Sequence, residues 1–112
     1  MKTIERLLQD HERVWFYLQD NDAKNLFCQE LAGLGASFTN DEEVLPERCS
    51  HIMAVHQDHK VAHLMIMIWN ASFHPDFENC CASYLAGVPK VDYAKYIAGE
   101  DDFICHTSPF AG

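Results

Sequence analysis

The groups able to hold a metal or act as a nucleophile are seven histidines and five cysteines in a chain of 112 residues. Three of the histidines, His56, His59 and His63, stand close together in an apolar stretch, HIMAVHQDHKVAHLMIMIW. If Asp58 and His59 form a two-residue turn between two strands, Gln57 faces Lys60, His56 faces Val61 and Ala54 faces His63. His56 and His63 are then diagonal neighbours on one sheet face, roughly 7 Å apart at the backbone, with His59 at the turn tip. Imidazoles at that spacing suit zinc or another transition ion, with a cysteine as third ligand. The chain has no CxxC or HExxH spacing, and two histidines beside Met65 and Trp69 also read as a semi-buried polar pair. Zinc held by His56, His59 and His63 is therefore the alternative; the leading reading has no cofactor.

Cys49 and His51 point the same way on a strand, and Cys105 and His106 point oppositely. A thiolate nucleophile needs a base within hydrogen-bond reach, which sequence proximity does not supply. Buried cysteines acting as small hydrophobes are the expectation. Cys80 and Cys81 are adjacent, and a disulfide between neighbours is strained. The acidic triplets Asp41-Glu42-Glu43 and Glu100-Asp101-Asp102 are candidates for binding a basic protein partner, although such runs are commonly solvated loops. Neither follows an EF-hand loop. No glycine-rich phosphate loop, nucleophile elbow or basic patch occurs, so no catalytic residue is assigned.

The elements that must position these groups follow from periodicity. Residues 3–11 predict a short helix capped by Thr3. Val14–Leu18, VWFYL, is strand-like. Asp22–Leu34 predicts the main helix, with Ala23, Leu26, Phe27, Leu31 and Leu34 on its apolar face and Gly33 and Gly35 at its stop. Ala36–Thr39 predicts a short strand. The hairpin spans about residues 51–69, His51–Gln57 and Val61–Trp69. One of its faces carries Met53, Val55, Ala62, Leu64, Ile66 and Ile68, which should be buried under a helix. The other carries Ile52, Ala54, His56, Val61, His63, Met65, Met67 and Trp69. A longer loop would shift the register by one and exchange the faces. Residues 70–79 read as loop and 80–86 as one or two helical turns. Asp92 caps a short helix over 93–98, and Phe103–His106 reads as a last strand. The fold class is α+β, a mainly antiparallel sheet with a central hairpin, in one domain over residues 1–112.

At VWFYLQDNDAKNLFCQELAGLGASF, SHIMAVHQDHKVAHLMIMIW and VDYAKYIAGEDDF the chain resembles a loose group of small bacterial proteins, often from phages and other mobile elements. In that group a strand, a helix, a short strand and a hairpin follow one another. The resemblance implies this architecture and a bacterial source, and carries no catalytic residues.

Composition bounds the function. A net charge of −9, from 17 acidic and 8 basic residues, repels phosphate and disfavours nucleic acid as a partner. The longest apolar run falls well short of the roughly 20 residues a spanning helix needs, so no membrane partner is expected. The start of the chain lacks the apolar core of a signal peptide, and the cysteine spacing lacks a secreted framework. The expectation is a cytoplasmic, non-catalytic, acidic module that binds a protein, as an inhibitor or modulator encoded by a mobile element. The alternative is a metal-binding or redox-responsive protein using its histidines and cysteines.

Overall fold

The computed structural model describes residues 2–74, 77 and 87–110. The expectations for 80–86, for part of 70–79, and for Cys80 and Cys81 therefore lie outside the described residues.

Helix α1 (Ile4–Asp10) is capped by Thr3, whose side chain accepts from the Arg6 amide. The chain then enters strand β1 (Arg13–Tyr17). Helix α2 (Asn21–Gly33) starts one residue before its expected place, because the Asp20 carboxylate accepts from the Ala23 amide. Its end follows from Gly35, whose φ of +70° is open to glycine at little cost. Strand β2 (Ser37–Phe38) is followed by a 3-10 turn at Pro46–Arg48, strand β3 (Ile52–His56) and strand β4 (Lys60–His63). Helix α3 (Ile66–Ala71), strand β5 (Lys90–Asp92) and helix α4 (Tyr93–Ile97) complete the order.

The strands form one five-stranded sheet in the order β2-β4-β3-β1-β5. It is mixed rather than mainly antiparallel: β3 runs antiparallel to β1 and β4, whereas β5 is parallel to β1 and β2 is parallel to β4. The expected last strand is a single bridge, Val91 to Ile104, beside β5. Helices α1, α2 and α4 together cover one face, where one main helix was expected. Ile4, Leu8, Phe27, Leu31, Tyr93 and Tyr96 pack there on Val14, Phe16, Met53, Val55, Val61 and Val91. On the other face Trp15, Ile52 and Ala54 meet Trp69 of α3, with Phe73 and Phe110 alongside.

The hairpin departs from the two-residue turn. Val55 faces Val61, Ala54 faces Ala62 and Met53 faces His63, a shift of one residue. The loop is Gln57-Asp58-His59, with His59 at φ +66° and its amide bonded to the His56 carbonyl at 2.9 Å. That is a turn closed by a left-handed residue, the common three-residue hairpin. Helix α1 holds it in place: the His59 ring meets Glu5 at 2.7 Å, and the Gln57 side chain donates to the Leu8 carbonyl at 2.8 Å. The shift places Val61 with Met53 and Val55 under the three helices and moves Ala62 and Leu64 to the opposite face.

The second arm is also shorter than expected. β4 ends at His63, and Ile66–Ala71 is helical rather than extended. Helical winding carries Trp69 beneath the sheet, 6.4 Å from Trp15 between ring centroids, and turns Met65, Ile66 and Met67 outward. Ile66, assigned to the buried face from its place in an extended strand, is consequently one of the exposed large apolar residues.

Candidate functional site

The register decides the fate of the histidine constellation. With Ala62 opposite Ala54, alternation puts His63 on the face of Met53 and His56 on the face of Ala54. The two therefore point to opposite sides of the sheet and cannot share an ion. Each histidine named as a ligand has another place. His63 stacks on Phe38, with centroids 5.2 Å apart and planes 12° from parallel, and its Nε2 donates to the Arg48 carbonyl at 2.6 Å. His59 pairs with Glu5, and His56 lies opposite Arg13 at the end of β3. Among the described residues no group of three His, Cys, Asp or Glu side chains converges as a metal site would require.

The cysteine–histidine pairs are not joined either. His51 donates through Nδ1 to the Leu18 carbonyl at 2.7 Å, while Cys49 turns inward to Cys28, their sulfurs 3.7 Å apart. Cys105 lines a cleft of about 280 Å³ with Tyr17, Asp92 and Lys95. Burial, followed by the Asp92 carboxylate, pushes its thiol up to about 11. At neutral pH it is a thiol and not a thiolate. His106 next to it points to Asp102, 4.0 Å away.

The acidic triplets stand at opposite ends of the sheet. Asp41-Glu42-Glu43 follows edge strand β2, and Glu100-Asp101-Asp102 follows α4 beside β5, the far edge. Five strands at roughly 4.8 Å spacing separate them, so they do not make one patch. The first triplet is also partly neutralised. Lys60 Nζ reaches Asp41 at 2.7 Å, and Arg48 approaches Glu42 at 3.9 Å. The Lys60 hydrogen bond, with its charge, holds the Asp41 carboxyl below its ordinary range.

Beside that triplet the structure has a feature that no motif announced. β2 is only two residues long because the chain reverses after Phe38. Asp41 takes a φ of +67°, the Asn40 side chain accepts from the Glu42 amide, and the Phe38 amide bonds back to the Glu42 carbonyl at 2.9 Å. The last bond from β2 to β4 runs from the Thr39 amide to the Val61 carbonyl at 3.2 Å. Alternation makes His63 the next β4 residue whose backbone faces outward. Among the described residues its amide has no backbone partner on that side. A cleft of about 540 Å³ lies along this open edge, lined by Phe38, Thr39, Glu42, Arg48, Ala62 and His63. At its end the chain exposes Met65, Ile66 and Met67, at 64%, 49% and 73% of their full accessibility. An open strand edge thus lies beside three adjacent exposed apolar side chains, a combination uncommon on a surface without a partner.

Comparison of the chain with family models, with curated proteins and with solved structures finds no match. No described helix is long and apolar enough to cross a membrane.

Proposed function

We propose that the protein is a non-catalytic, acidic protein-binding module and that its partner docks an extended segment along the outer edge of β4. The observation that carries this reading is the exposed run Met65-Ile66-Met67 at the end of an edge left open by the brevity of β2. Backbone bonds to His63 and Met65 would set the register of the added strand, and the apolar run would supply the buried area. Glu42 and Glu43, with the net charge of −9, favour a basic segment and speed its approach. An inhibitor or modulator role in the bacterial cytoplasm suits a small module of this kind, in keeping with the resemblance of three segments to mobile-element proteins.

One pair of variants tests the docking mode. Met65 has φ −69° and ψ 132°, a backbone that proline adopts without strain. Met65→Pro therefore removes the amide and the side chain, whereas Met65→Ser removes the side chain and keeps the amide. Partners captured from a bacterial lysate by the wild-type protein should be lost with Met67→Ser, and lost further with Met65→Pro than with Met65→Ser. Capture that survives Met67→Ser and Met65→Pro but disappears at high salt would move the interface from the β4 edge to the acidic triplets.

A further inference from the structure

Cys28 of α2 and Cys49, just after the 3-10 turn, bring their sulfurs to 3.7 Å inside the three-helix core. They are 21 residues apart in sequence, and both are buried. The hydrogen bond between them is the only polar contact of either thiol among the described residues. Among the described residues no third metal-ligating side chain reaches them. Two thiols in contact, carried by segments already packed on each other, have one further reaction available.

We propose that Cys28 and Cys49 form a reversible disulfide that ties α2 to the segment entering β3. A disulfide holds its sulfurs at about 2.05 Å, so about 1.6 Å must close from the present distance. A bridge needs Cα atoms about 4.4–6.8 Å apart, and α2 already packs against the 3-10 turn that precedes Cys49. The oxidant required is a low-molecular-weight disulfide. The Cys49 thiol gives up its proton, and its thiolate attacks one sulfur of that disulfide. A mixed disulfide forms, and one small thiolate leaves and takes up a proton. Cys28 then loses its proton and attacks the Cys49 sulfur, expelling the second small thiolate, which is protonated in turn. Two protein thiols are oxidised and one small disulfide is reduced to two thiols.

Cys49 is the first to attack. Burial raises both thiols, but the hydrogen bond from Cys28 and the charge of Lys24 work against that rise at Cys49, while Cys28 is pushed up to about 12. Because both sulfurs are covered, exchange waits on an opening of the 3-10 turn, whose Glu47 and Arg48 are exposed. The bond then anchors the segment that carries Arg48.

The test equilibrates the whole protein in mixtures of oxidised and reduced glutathione. Free thiols are quenched with N-ethylmaleimide in denaturant, and peptides are mapped by mass spectrometry. The expected result is a Cys28–Cys49 linked pair that grows with the oxidised fraction and reverts in dithiothreitol. The oxidised protein should melt on the order of 10 °C higher, as a closed loop of this length predicts, and Cys49→Ala should abolish that rise. The proposal is overturned if both cysteines carry N-ethylmaleimide at the most oxidising ratio once exchange has reached equilibrium. It is equally overturned if Cys49 stops at the glutathione adduct, or if either residue links instead to Cys80, Cys81 or Cys105. Because the mapping is done on the wild-type chain, it decides the matter even if Cys49→Ala does not fold.

Discussion

The two faces of the sheet are built differently. On one, three helices close a core in which Phe16, Phe27 and Tyr93 form an aromatic triangle, with centroids 5.4 to 5.9 Å apart. The helices satisfy their own backbones, and Thr3, Asp20 and Asp92 cap them. Tyr93 and Tyr96 fasten α4 to its neighbours through Glu30 and the Thr3 carbonyl, each at 2.8 Å. On the other face the described cover is one short helix, α3, with the C-terminal segment. These are pinned by side chains: Trp69 Nε1 donates to Ser108 at 3.1 Å, and Ser108 donates to Asn70. The helix on the second face begins with the exposed Met65–Met67 run. The exposed apolar run thus belongs to the element that covers the face opposite the three-helix core.

The largest test of that contrast is a charge on each side. Val55→Asp, fully buried beneath the helices, should abolish the folding transition, because an unpaired buried carboxylate costs several kcal/mol against a total stability of roughly 5–15 kcal/mol. Ile66→Asp should stay within about 0.5 kcal/mol of the parent. Chemical denaturation of both decides it, and unfolding by Ile66→Asp would restore an extended strand through that residue.

Truncation comes next. Trp69→Ala should cost about 3–5 kcal/mol, in the range for a buried tryptophan. Hydrogen exchange should show the loss concentrated in α3 and residues 104–110, with α2 still protected. Phe27→Ala, of similar cost, should instead lower protection across the whole chain. Uniform loss in both variants would mean that the faces unfold as one unit.

Alkaline pH is a gentler probe of the buried thiols and tyrosines. Burial, with the neighbouring Cys49 adding to it, raises Cys28 to about 12, and burial with the Glu30 hydrogen bond raises Tyr93. Groups raised in the folded state contribute stability fully below their unfolded values, about 8.5 for cysteine and 10 for tyrosine. That contribution is lost as pH climbs through the folded values. The urea midpoint should therefore fall above about pH 8.5, and Cys28→Ala should flatten the beginning of that fall.

The smallest effect belongs to the exposed pair of Asp41 and Lys60. The Asp41 carboxyl is lowered in the fold, so its contribution is present above the ordinary aspartate value of about 3.9 and is lost as pH falls through the folded value. Lys60→Met should return the Asp41 titration, followed by carboxyl NMR, to the ordinary range while leaving the midpoint at pH 7 unmoved.

Several elements were legible because their signals are local. Thr3 and Asp92 are capping side chains next to helical spacing, and α1 and α4 begin where those caps say. The expected strand Val14–Leu18 appears one residue earlier, as Arg13–Tyr17, and the acidic, glycine-bounded segment after it is helix. The apolar face of α2 was read nearly in full, except that Leu26 is exposed and Cys28 takes an inner position. Strand β5 was missed because Lys90-Val91-Asp92 offers one apolar residue and no alternation. The open edge of β4 could not be seen at all, since it exists only because another strand stops two residues after it starts.

Sequence by itself determined the class of the fold, α+β, and where α1 and α4 begin, because capping side chains act over three or four residues. Tertiary structure decided the hairpin register, in which α1 holds Gln57 and His59 of the three-residue loop. It also decided where β4 ends. LMIMIW has no polar residue to distinguish a period of 2 from one of 3.6, and only the space under Trp15 makes the helical course the better one. Those two choices set His56 and His63 apart and turn Met65–Met67 outward.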